Sequence, residues 1–342
     1  MVHQPELDLH TPLNREIPAT IRRTKLTPRL ALSALTLHGD FYRQLQSKAN
    51  SRIFWHPLTQ LFMISVLGLT AVYQYSDLWR ASNTWSEFGS LMLNNKYLVS
   101  SIFPSLIFVA GTVGLTSFLL TDEIRVISDK LGEDSYQQKL FGFPLKVFAN
   151  ATSEEAKRES SIEFMESAEF STELIEYRES PVAVVTVLPE PELSSKDVFY
   201  AKITGFHVRK SYKTAGLENE LLDIAAEKAQ VLSLEYIKKR KLKADDVKVV
   251  LLVDAYALDP INRPIVEKKG FEIKSSTTQL DPFAGDDVVD EKLMFLIPHS
   301  MIKRFFGVFR HTYELEVSNE SSATASGATS SSSKVTSRKR KA

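Results

Sequence analysis

The side chains with chemical potential in this chain are sparsely placed. Seven histidines stand at positions 3, 10, 38, 56, 207, 299 and 311, and none of their spacings is that of metal ligands. No cysteine is present, which excludes disulfides, thiolate-bound zinc and a cysteine nucleophile. The sequence contains no GxxxxGK[ST] phosphate loop, no GxSxG elbow and no HExxH pair, so P-loop, serine-hydrolase and zincin chemistries lack their residues. His207 closes an apolar run, and a general base needs a placed partner. It therefore reads as a packed or exposed histidine. The one turn with a distinctive make-up is Tyr212-Lys213-Thr214-Ala215-Gly216, directly ahead of a long helical pattern.

The elements that must hold these residues alternate between strand and helix. Pro181 opens the buried-strand pattern Val182–Leu188, and Phe199–Val208 is a second strand. Leu217 to about Arg240 is a helix whose apolar stripe is Leu221, Leu222, Ala225, Ala229, Leu232 and Ile237. Lys238, Lys239, Arg240, Lys241 and Lys243 crowd its end, where cations complement the helix dipole. Val247–Val253 is a strand, Pro260–Lys269 a short helix stopped by Gly270, and Phe271 starts another strand. Glu291–Ile297 reads as the last strand, and the Glu-rich stretch 151–180 as a solvated helix. This alternation indicates an α/β domain over 122–317.

Two blocks ahead of it have a different character. The 24 residues between Arg52 and Asp77 and the 25 between Lys96 and Asp122 contain no Asp, Glu, Lys or Arg. About 20 helical residues cross a ~30 Å hydrocarbon core, so helices at about 58–78 and 97–120 form a transmembrane hairpin within 57–121. Phe54, Trp55, Trp79, Trp85 and Tyr97 sit at its ends, as interfacial aromatics do. More than 50 polar-rich residues precede the first block, which is not the layout of a cleavable signal. Arg15, Arg22, Arg23, Lys25, Arg29, Arg43, Lys48 and Arg52 lie before it, Arg80 and Lys96 in the connecting loop, and Arg125, Lys130, Lys139 and Lys146 after the second block. The positive-inside bias places both termini in the cytosol. Leu30–Ala49 is an amphipathic helix, with Leu30, Ala34, Leu37, Phe41 and Leu45 on one face. Its pattern suits either the bilayer surface or the soluble domain.

The neutral total of 42 basic and 42 acidic groups conceals an uneven distribution. Region 1–56 carries +4, the hairpin zero, 122–316 holds 27 basic against 35 acidic groups, and the tail carries +4. The balance does not suit a free nucleic-acid binder. Residues 318–342 are Ser-rich and end Ser337-Arg338-Lys339-Arg340-Lys341-Ala342. Such a tail suits disorder, and its basic end fits either a dilysine-type retrieval signal or contact with anionic lipid.

The strand, the turn ending in Gly216, the long helix, the next strand and Lys269-Gly270-Phe271 resemble the core of the GCN5-related acetyltransferase superfamily over about 199–297. In that superfamily an Arg/Gln-x-x-Gly-x-Gly/Ala turn starts the helix and its backbone N–H groups hold the pyrophosphate of acetyl-CoA. The resemblance aligns Lys213 with the first position and Gly216 with the second, but Glu218 with the third, where a carboxylate repels a pyrophosphate. It aligns Val266 with the usual tyrosine acid and Asp259 with the usual asparagine. The resemblance therefore implies the fold without its chemistry: no catalytic residue, no cofactor and no metal.

The runs His38-Gly39-Asp40-Phe41-Tyr42-Arg43, Lys48-Ala49-Asn50 and Ile53-Phe54-Trp55-His56-Pro57 lead into the first apolar block. With the hairpin and the degenerate α/β domain, they are similar to the fungal endoplasmic reticulum phosphate-transporter accessory family, over about 15–310. That resemblance implies a reticulum membrane protein that packages a polytopic phosphate transporter for exit, with that transporter, membrane lipid and vesicle coat components as partners. The competing expectation is a membrane-tethered N-acetyltransferase using acetyl-CoA.

Overall fold

In the computed structural model the described residues are 18–94, 100, 103–150, 171–243, 247–284, 292–293 and 297–317. The tail at 318–342, most of the Glu-rich stretch and the start of the second expected span lie outside them.

A seven-stranded mixed sheet forms the centre, in the order β1-β2-β3-β4-β5-β9-β6. The chain enters it at β1 (Ile21–Lys25) and runs through a 3-10 turn at Pro28–Leu30 into α1 (Ala31–Phe54). It then leaves the sheet for α2 (Pro57–Ala81), α3 (Trp85–Asn94) and α4 (Phe103–Lys130). Short helices α5 (Asp134–Phe141) and α6 (Leu145–Asn150) lead back towards the sheet. There β2 (Thr172–Tyr177), β3 (Ser180–Pro189) and β4 (Val198–Val208) form an antiparallel meander. Helix α7 (Leu217–Arg240) crosses over to β5 (Lys248–Tyr256), parallel to β4. Helix α8 (Asn262–Lys268) precedes β6 (Glu272–Thr277). A two-stranded ladder of β7 (Lys292–Leu293) and β8 (Ile297–Pro298), helix α9 (His299–Phe306) and β9 (Arg310–Val317) complete the order.

Each face of the sheet has its own core. On one side α7 presents Leu221, Leu222, Ala225 and Ala229 to Val185, Ala201, Leu251 and Tyr313. On the other, α1 presents Ala34, Leu37, Phe41, Leu45, Ala49 and Ile53, joined by Leu120, Ile124 and Ile127 from the end of α4. The three- and four-residue spacing of these side chains keeps them on one face of each helix. The amphipathic helix before the first apolar block thus belongs to the domain core.

Four sequence expectations change. Residues 172–177 are a strand, because the ladder to β1 and β3 gives their backbone groups partners on both sides. Strand β9, between β5 and β6 in the sheet, has no counterpart among the expected strands. Among the described residues of the expected strand 291–297, Lys292–Leu293 form β7 and Ile297 begins β8, and these two pair with each other apart from the main sheet. Residues 21–54, set apart from 122–317 in the sequence reading, supply that domain with a strand and a helix.

Helices α2 and α4 are the two long enough and apolar enough to cross a membrane among the described residues. Within α2 only Thr59 and Tyr75 are buried. Leu61, Ile64, Leu69, Val72 and Tyr73 face outward, as do Ile107, Phe108 and Leu115 of α4. Pro57 opens α2, and the His56 ring accepts the Leu58 N–H at 3.4 Å, as an N-cap does. The far half of α4 is tied to the α/β unit: Glu123 accepts the backbone N–H groups of Leu280 (2.6 Å) and Asp281 (2.9 Å) and pairs with Lys303.

Candidate functional site

The parallel ladder between β4 and β5 stops at Ile203 and Val253. Beyond that point β4 continues beside β3 as far as Val208, and β5 beside β9 as far as Tyr256. A wedge opens between the two strand ends, in the middle of the sheet. Parallel strands with divergent ends are where open α/β sheets hold ligands.

Here α1 fills the wedge. Phe41 stacks on His207 with ring centroids 4.1 Å apart and 24° between planes. His38 meets His207 edge-on at 4.5 Å and Phe141 at 5.2 Å. Tyr42 lies edge-on to Tyr256 at 6.4 Å. A Cβ added to Gly205 would sit 2.1 Å from Cε1 of His38, so this strand position must be glycine for the helix to approach. A cavity of about 30 Å³ remains, lined by Phe41, Tyr42, His207, Tyr256, Asp259 and Asn262 among others. That is room for about one water.

Both histidines are buried, and no ring nitrogen of either has a hydrogen-bond partner. Burial pushes His38 down to about 3 and His207 well below the usual imidazole range, the latter with help from the neighbouring His38 and Lys213. Both are neutral, aromatic packing groups. His207 lacks the placed partner that a base requires.

The wedge is closed at its rim by charge. The 3-10 turn Lys210–Ala215 ends at Gly216, whose φ of +75° suits glycine and which caps α7. Glu218 lies in the first turn of α7, almost wholly buried, and neither carboxylate oxygen has a side-chain or backbone partner that meets hydrogen-bond geometry. Burial raises its pKa, against the opposing pull of its own backbone amide and of Lys213. The helix N-terminus thus already carries a carboxylate of its own. Lys213 is half-buried and its pKa is lowered, first by desolvation and then by the charge of Lys48, while Asp259 and Glu218 pull it upward. Lys48, on α1, reaches Asp259 at 2.9 Å. Asp259 also accepts the Ile261 N–H at 3.2 Å, and its second oxygen is unpartnered. Two cations and two carboxylates therefore gather where α1, the turn, α7 and the end of β5 meet.

The remaining sequence-singled residues are structural. Val266 is fully buried in the core under α7, so the place aligned with a tyrosine acid holds no proton donor. Gly270, at φ +89°, ends the chain segment after α8, and Phe271 packs beneath it. The structure brings Lys213, Gly216, Glu218 and Asp259 to one place and leaves Val266 in the core. Sequence reasoning missed the contribution of α1. Its signal was present in the three- and four-residue spacing of His38, Phe41 or Tyr42 and Leu45 on one face, but no local pattern names the sheet as their partner. Among the described residues no group of three or more His, Asp or Glu side chains could hold a metal ion.

The family model described as inorganic phosphate transporter chaperone Pho86 matches residues 3–317. No curated protein sequence matches the chain. Among solved structures, the chain is similar to a GNAT-family acetyltransferase from Streptococcus pneumoniae (14% identity, TM-score 0.29, covering 47% of this chain and 75% of that one). It is also similar to Ard1 from Thermoplasma volcanium (11%, 0.26, 44% and 72%). A third is the IAA acetyltransferase from Bacillus cereus (14%, 0.26, 48% and 88%).

Proposed function

The chain belongs to the Pho86 family of inorganic phosphate transporter chaperones, and from that premise we propose that it is a membrane protein of the endoplasmic reticulum that lets a polytopic phosphate transporter fold and leave in transport vesicles. The family match carries this reading. Helices α2 and α4 span the membrane, held as a hairpin whose outward apolar surface meets lipid. Strand β1 and α1 precede the hairpin and strands β2–β6 and β9 follow it, yet these strands form one sheet and α1 packs in the core on one face of it. This supports placing both flanks on the same side, and the distribution of Lys and Arg supports the cytosol. The transporter client, the surrounding lipid and, through the cytosolic unit, vesicle coat components are the partners; nucleic acid is not.

The protein works without catalysis and without a cofactor. In the acetyltransferase resemblance, the turn at Lys213 and Gly216 would hold the pyrophosphate of acetyl-CoA. Here Glu218 places a buried carboxylate at that helix terminus, and α1 fills the adjoining wedge. Acetyl-CoA would have to displace a helix that carries Lys48, the partner of Asp259. A membrane-tethered acetyltransferase is the reading this arrangement disfavours. Isothermal titration of the full chain in detergent should show no acetyl-CoA binding at millimolar ligand, and measurable binding would restore that reading.

The test of the main proposal is removal of the gene for this protein from its host. The transporter should accumulate in the reticulum, and phosphate uptake at low external phosphate should fall. Normal surface delivery of the transporter would refute the proposal. The acceptor patterns at Asn150 and Asn319 test topology independently, since a cytosolic flank leaves both unglycosylated. An endoglycosidase-sensitive mass shift at either would invert it.

A further inference from the structure

Helix α9 (His299–Phe306) has two faces of opposite character. One faces the protein: Lys303 is buried, pairs with Glu123 of α4 and donates to the Thr278 carbonyl at 3.2 Å. The other carries Met301 and Phe305, 65% and 59% exposed and one helical turn apart. In water these two would be an apolar pair on a surface with nothing to cover them.

Their height relative to the hairpin is fixed by the neighbouring ring. Phe306 shares a cavity of about 280 Å³ with Leu58, Phe62, Val113 and Thr116. All four belong to α2 or α4, inside the charge-free runs. Val113 lies seven residues before Leu120, about 10 Å along the helix axis. Both phenylalanines also lie against His56, the cap of α2, at 5.8 and 4.9 Å between centroids. The end of α9 therefore sits at the level where the first apolar helix begins. Trp55, next in the chain to His56, is a further large apolar side chain, 69% exposed.

Cations flank it. Arg52 and Arg304 are exposed, and neither is in an ion pair among the described residues. The Arg52 guanidinium lies beside Gly307, 3.4 Å from where a Cβ would stand, and so at the C-terminal end of α9.

We infer that α9, with Trp55, is an interfacial membrane-docking element: Met301 and Phe305 enter the acyl boundary of the bilayer, and Arg52 and Arg304 hold the phosphates of anionic phospholipid. Apolar residues on one face and cations beside them are the composition of a helix that lies in the membrane surface. This rests on the reading that α2 and α4 span the membrane. The consequence is mechanical. The α/β unit is held to the bilayer at a third point besides the two spans, and the wedge-filling helix α1, which ends at Phe54, is held at the membrane surface with it.

The chain lacks cysteine, so single-cysteine variants report one site each. Full-length Met301→Cys, Phe305→Cys, Leu69→Cys and Lys239→Cys, labelled with a nitroxide, are reconstituted in phosphatidylcholine vesicles with and without phosphatidylserine. Oxygen and a nickel chelate then measure immersion. Leu69 faces outward from the middle of α2, and Lys239 is exposed at the end of α7. Labels at 301 and 305 should favour oxygen, as at 69, and exclude nickel more strongly when phosphatidylserine is present. Arg52→Glu or Arg304→Glu should weaken that docking on the order of fivefold per positive charge removed. Nickel accessibility at 301 and 305 equal to that at 239, with 69 protected, overturns the inference and leaves the spanning hairpin intact. Nickel accessibility at 69 as well overturns the membrane reading itself, and this inference with it. Equal protection with and without phosphatidylserine overturns the role given to the arginines.

Discussion

Helices α1 and α2 are consecutive, of 24 and 25 residues, and they meet opposite surroundings. Ten residues of α1 are buried, including His38 and Ser33, while its other face carries Arg43 and Ser47. Only two residues of α2 are buried, although it is far more apolar. In α1 polarity changes sign around the circumference, so one side can face water and the other a sheet. In α2 apolar residues run all the way round, so no side is suited to water. The medium of a helix is thus read from its circumference more than from its average. The same contrast holds for the polar groups: the wedge under α1 buries histidines and carboxylates that lack full partners, whereas hydroxyls in the middle of α2 and α4 bond to carbonyls of their own helix, as Thr70 and Thr112 do at 2.8 Å.

The largest test of this contrast is acid. The folded state holds His38 neutral with a pKa of about 3, against 6.5 in the unfolded chain. Between those values the unfolded chain binds more protons, so stability rises with pH and is lost as pH falls below about 6.5. By pH 3 the loss from this one group reaches about 4 kcal/mol. Thermal unfolding in detergent should show that His38→Leu has a flatter pH dependence than the parent over this window; equal slopes would remove His38 from the account.

Glycine substitutions compare the two regions directly. Gly205→Ala forces a Cβ against the His38 ring and should cost about 3 kcal/mol by overpacking. Gly114→Ala in α4 meets nothing within 4 Å, and its melting curve should move by less than the equivalent of about 0.5 kcal/mol. Equal shifts would show that α1 is not tightly seated. Next in size is Lys48→Met, which leaves Asp259 buried without its cation. Since Lys48 is about one-third exposed, a loss of about 2 kcal/mol is expected rather than the full value for a buried pair. Adding Asp259→Asn should recover much of it, and a chemical-denaturation cycle measures the coupling. Smaller than the Lys48 effect is that of Arg23→Ala. Its contacts with Glu220 and Glu227 are exposed, and its loss should cost less than about 1 kcal/mol.

Local pattern was legible where one element determined its own form. The helix 217–240 has the expected bounds because Gly216, the apolar stripe and the terminal cations all lie within it. The α/β class and the two apolar helices follow from periodicity and charge-free length in the same way. What stayed hidden was pairing over distance. Nothing local in Ile21–Lys25 points to Leu174 and its neighbours, and strand β9 hides its alternation among charged residues because its outer positions pair in salt bridges such as Lys274–Glu314 and Lys248–Glu316. The turn residues Lys213, Gly216 and Glu218 could be found by spacing. Their rim partner Lys48 stands 211 residues from Asp259, and only the fold brings them together.

That separation sets an order of events during synthesis. When α1 leaves the ribosome, the strands it must cover are still unmade, and its apolar stripe has no mate. In the proposed topology the hairpin, made next, meets lipid at once. β1 gains its neighbour when β2 follows, and only after β4 can α1 find Gly205 and His207. A chain built this way seats its N-terminal helix only after the strands beneath it are made and, in the proposed topology, from a site already held at the membrane by α2. For that interval the exposed stripe of α1 lies within reach of the bilayer and of any chaperone working there.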